Sequence, residues 1–78
     1  MYIRLDSVEK VKDFVSNMEK YQTQMDLISG HTEVDACSLL GIFSLDLTKP
    51  LEVRVQQNRN HPEKVWEILC RYEVQEAI

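Results

Sequence analysis

A chain of 78 residues with thirteen acidic and nine basic side chains, net charge −4, is sized for one small domain, here 1–78. That charge balance argues against a nucleic-acid partner, whose phosphate backbone calls for a basic face. Apolar residues make up 44 %, enough for a core, yet no apolar run approaches the roughly 18–20 residues of a membrane span.

Residues 2–5 place Tyr2, Ile3 and Leu5 in a run of strand length. The same N-terminal residues lack the long apolar stretch and small-residue cleavage site of a signal peptide, which leads to the expectation of a cytoplasmic protein. Asp6-Ser7-Val8-Glu9 reads as a capping box, with Asp6 accepting from the Glu9 amide. Val8, Val11, Phe14, Val15 and Met18 then follow at helical spacing, and the helix is expected to end near Tyr21. From Gln22 the period changes to two. Thr23, Met25 and Leu27 alternate with Gln24, Asp26 and Ile28, and after Ser29-Gly30-His31 Thr32, Val34 and Ala36 alternate with Glu33, Asp35 and Cys37. Two such runs around a glycine predict a hairpin, with Gly30 free to adopt positive φ.

Ser38 is placed to cap a second helix of two to three turns. Leu39, Leu40, Ile42, Phe43 and Leu45 are too many apolar side chains for one inward stripe on so short a helix, so some of them face outward. After Lys49-Pro50, the alternation of Leu51, Val53 and Val55 predicts a fourth strand. Asn60-His61-Pro62-Glu63 is a second capping box, ahead of a helix with Val65, Ile68, Leu69 and Tyr72 on one stripe and Trp66 and Cys70 beside it. Trp66 reads as a partly exposed packing residue that could also serve self-association. The order is β-α-β-β-α-β-α. It predicts an α+β domain in which three helices cover one face of a four-stranded antiparallel sheet.

Chemistry-bearing patterns are sparse. Cys37 and Cys70 have no metal-clip partner, and His31 and His61 stand apart, so neither a metal nor another cofactor is expected. There is no glycine-rich phosphate loop, no helical His/Glu metal motif and no nucleophile elbow, and hence no expectation of an enzyme. The stretch Cys37 to Leu45 stands out, with a serine at a helix start followed by apolar residues. A phosphate on Ser38 would lie near unpaired amides and beside exposed apolar side chains, a means of switching a docking surface.

The element order, the length and the run Val34-Asp35-Ala36-Cys37-Ser38-Leu39-Leu40-Gly41-Ile42-Phe43-Ser44-Leu45 resemble HPr, the histidine-containing phosphocarrier of the bacterial sugar phosphotransferase system. Ser38, Leu39, Leu40, Gly41, Phe43, Ser44 and Leu45 match the family's second-helix pattern in order. The resemblance implies an open-faced β-sandwich, with Ser38 as a site for an ATP-dependent kinase. It implies that Leu39, Leu40 and Phe43 form an exposed patch for a protein partner, such as a serine kinase or a transcription regulator, and that Ile42 and Leu45 point inward. Active members carry Gly-x-His-Ala-Arg-Pro-Ala at the start of the first helix. The corresponding position here is Ser7, with Glu9 in place of the arginine. The resemblance therefore implies a divergent member without the carrier reaction. Two other readings stand beside it. One is a phosphocarrier that uses His31 or His61. The other is a structural or self-associating interaction domain of the same fold.

Overall fold

The computed structural model describes residues 1–57 and 62–75. Its elements are β1 (Tyr2–Ile3), α1 (Val8–Lys20), β2 (Gln24–Ser29), β3 (Thr32–Asp35), α2 (Leu39–Phe43), β4 (Leu51–Gln57), α3 (Pro62–Tyr72) and β5 (Glu73–Val74). The strands form one antiparallel sheet in the order β3-β2-β4-β1-β5.

The sheet has five strands rather than the expected four. The fifth, β5, pairs Tyr2 with Val74 and Ile3 with Glu73, and the Arg4 amide adds a bond to the Tyr72 carbonyl. Two residues are too few to show a period, so the sequence pattern carries no trace of this strand. The first strand is also shorter than predicted, Tyr2–Ile3, although Ile3 and Leu5 are both fully buried.

Register sorts the strand side chains onto two faces. Ile3 pairs with Leu51, and Leu27 with both Val34 and Val53. Directly opposed residues point to the same side of a sheet, so these define the inner face. They join Val11, Phe14, Val15 and Met18 of α1, Ile42 of α2, and Val65, Ile68 and Leu69 of α3 in or against a single apolar core. All three helices therefore lie on this face. The other face carries a row that runs across every strand: Glu33, Ile28, Glu52, Tyr2 and Val74.

The α1 cap differs from the predicted box. Ser7, not Asp6, accepts from the Lys10 amide at 3.1 Å. The Asp6 carboxylate instead takes the Lys10 ammonium at 2.7 Å, and that bond holds its carboxyl below the usual carboxylate range. Val8, at the first helical position, lies outside the packed stripe and is 55 % exposed. The hairpin follows the prediction: Gly30 has φ +61°, and Met25 and Leu27 are buried. Gln22, at the exit from α1, also has positive φ, +50°. The second predicted capping box begins at Asn60 and His61, which lie outside the described residues.

Candidate docking surface

Ser38 opens α2 as the sequence suggests. Its backbone is extended and its Oγ accepts from the Gly41 amide at 3.0 Å. The helix spans only five residues, shorter than the expected two to three turns. It stops because the chain tightens: the Ser44 amide bonds to the Gly41 carbonyl, the Ser44 hydroxyl donates to the same oxygen at 2.5 Å, and the Leu45 amide bonds to the Ile42 carbonyl. These are three-residue closures, which end an α-helix rather than extend it.

Helical spacing then divides the apolar residues. Leu39 and Ile42, three apart, turn inward, and Leu40 and Phe43, three apart, turn outward. Leu40 is 84 % exposed and Phe43 39 %, whereas Ile42 and Leu45 are buried. Leu39 departs from the expected patch, because it is half-buried and packs against the core. Its position one residue past the cap puts it on the Ile42 side of the helix. The outward ledge thus rests on Leu40 and Phe43.

Around Ser38 the field is acidic. The Asp35 carboxylate accepts from the Cys37 amide at 2.8 Å. Burial, Asp35 and Glu19 together push the Cys37 thiol up, so this half-buried cysteine stays protonated at neutral pH and packs as a small side chain. Its Sγ lies 3.8 Å from the Thr23 carbonyl.

At the α1 start, Ser7 is exposed and its hydroxyl serves as the cap acceptor, with Glu9 in the first turn. No imidazole occupies this position. His31 sits in the β2–β3 turn, and His61 lies outside the described residues. Among the described residues no group of three or more His, Cys, Asp or Glu is placed to hold a metal ion, and no helix is long and apolar enough to cross a membrane.

Two features, Gly41 and Val55, were not anticipated from sequence, whereas the exposure of Trp66 follows the expectation. Gly41 is wedged: a Cβ there would stand 2.9 Å from Ser38 Oγ and 3.2 Å from Val34 Cβ. The only sequence signal was a glycine inside an apolar helix, where it costs stability unless packing demands it. Val55 and Trp66 add exposed apolar surface on β4 and α3, Trp66 at 56 %. Comparison with protein-family models finds no match, and comparison with curated proteins finds none either.

Proposed function

We propose that the chain is an HPr-like regulatory or docking module of the open-faced β-sandwich type, working in the cytoplasm through a protein partner rather than carrying phosphate itself. The observation that carries this reading is the pair Leu40 and Phe43, turned outward from a short helix that begins at Ser38. An exposed apolar pair is suited to anchor an interface. Ser38 is the candidate regulatory phosphosite, because a phosphate there would add charge beside the anchor pair. Carrier chemistry has no support at the α1 start. Ser7 stands where the resemblance puts the active histidine, and Glu9 stands where it puts the arginine.

Two incubations and a pair of variants test the reading. With ATP and the HPr-family serine kinase, mass spectrometry is expected to find one phosphate on Ser38. An unmodified Ser38, under conditions that modify a genuine HPr, removes the regulatory half. With phosphoenolpyruvate and the upstream phosphotransferase enzyme, no histidine is expected to be labelled; a label on His31 or His61 would restore the carrier. Leu40→Asp and Phe43→Asp are expected to weaken kinase binding about tenfold or more while leaving the circular dichroism and melting profile close to wild type. Unfolding of the Phe43 variant would make that ring structural instead.

A second reading, a self-associating domain without a phosphotransferase-system role, is favoured by the exposed Trp66. In that case sedimentation gives a dimer that Trp66→Asp dissolves, and neither enzyme incubation leaves a mark.

A further inference from the structure

The outward pair is only as well placed as the helix beneath it, and α2 has a single turn and little intrinsic stability. What seats it is visible at Ser38, Gly41, Ile42 and Val34. Ser38 Oγ takes the Gly41 amide at 3.0 Å, and the Ile42 amide bonds to the Ser38 carbonyl at 3.0 Å. Val34 of β3 lies against the same face of Gly41: a Cβ on Gly41 would stand 3.2 Å from Val34 Cβ and from Ser38 Cβ, and 2.9 Å from Ser38 Oγ. Real Cβ atoms essentially never come as close as that last contact. The Ser38 hydroxyl and a side chain at 41 therefore compete for one space.

We infer that Gly41 is the positioning residue of the docking ledge: its bare Cα lets α2 lie against Val34 with the Ser38 hydroxyl locked on its amide, and this fixes the direction in which Leu40 and Phe43 point. The inference rests on the docking reading for its functional meaning, but the lock itself is independent of any partner. Its arrangement also ties the ledge to Ser38. Anything that pulls the hydroxyl off the Gly41 amide frees the first turn of α2, so chemistry at Ser38 is felt at residues 40 and 43 through the backbone as well as through charge.

The test compares Ser38→Ala, Gly41→Ala and the double variant by amide hydrogen exchange and by the NMR shifts of the Leu40 methyls and Phe43 ring. Ser38→Ala is expected to speed exchange of the Gly41 amide several-fold and to move the Leu40 and Phe43 signals, with Phe14 and Leu69 unmoved. Gly41→Ala should do the same and lower the melting temperature. The double variant should fall short of the sum, because the alanine has no hydroxyl left to evict. Additive losses, or Leu40 and Phe43 signals that stay put in both single variants, overturn the lock. Should Gly41→Ala fail to fold, Ser38→Ala decides alone: an unchanged Gly41 amide refutes it. Failure of the kinase incubations with the lock intact would instead count against the docking reading.

Discussion

Thr23 carries a buried hydroxyl oxygen for which the described residues offer no partner. The residue is 4 % exposed and directly precedes β2. An unpaired buried hydroxyl costs about 1–3 kcal/mol of lost hydration, whereas valine has nearly the same shape and no polar atom. Thr23→Val should raise stability by about 1 kcal/mol, read as a rise of about 4–8 °C in the melting temperature. A drop of that size would mean that the hydroxyl is bonded. The alternation that puts Thr23 inward is legible in the sequence; the missing partner is not, because it depends on what the fold brings alongside. The caps divide in the same way. Ser38 is the sole capping side chain at its helix start. Asp6 and Ser7 are both able to cap, and Lys10, one turn on, settled the choice by drawing Asp6 into an ion pair.

Between elements, the contact of α1 with α3 joins packing and a polar bond. The rings of Phe14 and Tyr72 meet edge to face, 5.8 Å between centroids, and the Tyr72 hydroxyl donates to Asp13 Oδ2 at 2.5 Å. Burial first, and then the Asp13 carboxylate, push the Tyr72 phenol up to about 12. The folded value lies above the unfolded one of about 10, so the native state holds the proton more tightly. The stability tied to that proton is complete below about pH 10 and fades as pH climbs from about 10 to 12. Tyr72→Phe should flatten this alkaline decline in a denaturant series while keeping the ring contact. A decline of unchanged depth would assign it to other groups. The stripe that places Tyr72 toward α1 is readable from its spacing to Val65. The Asp13 bond is not, since 59 positions separate the two residues in sequence. Nor was β5 readable, for want of length.

For the molecule as a whole, the Cα radius of gyration of 11.3 Å is close to the roughly 11–12 Å of a compact domain this long. One core joins sheet and helices, and Phe14 is its largest fully buried side chain. A domain of this length has about 4–12 kcal/mol in hand. Phe14→Ala, at about 3–5 kcal/mol, should consume much of it and shift the urea midpoint accordingly; a loss under 1 kcal/mol would mean the core refills the gap. Helix number, hairpin and most of the inward faces could be read from periodicity alone, Val8 and Val55 being the exposed exceptions. The outward ledge could be read only in part, because Leu39 and Leu40 are alike in chemistry and differ only by the 100° turn between them. The seat under Gly41 depends on a strand seven residues earlier in the chain, beyond the reach of local patterning.

The placement of β1 has a bearing on how the chain acquires its structure. Tyr2 and Ile3 lie between β4 and β5, so this strand finds its neighbours far along the sequence, at positions 51–52 and 73–74. During translation the β2–β3 hairpin and α1 can assemble early. The pairing of β1 waits until positions 73–74 are available, which makes it a long-range closure of the kind that slows folding.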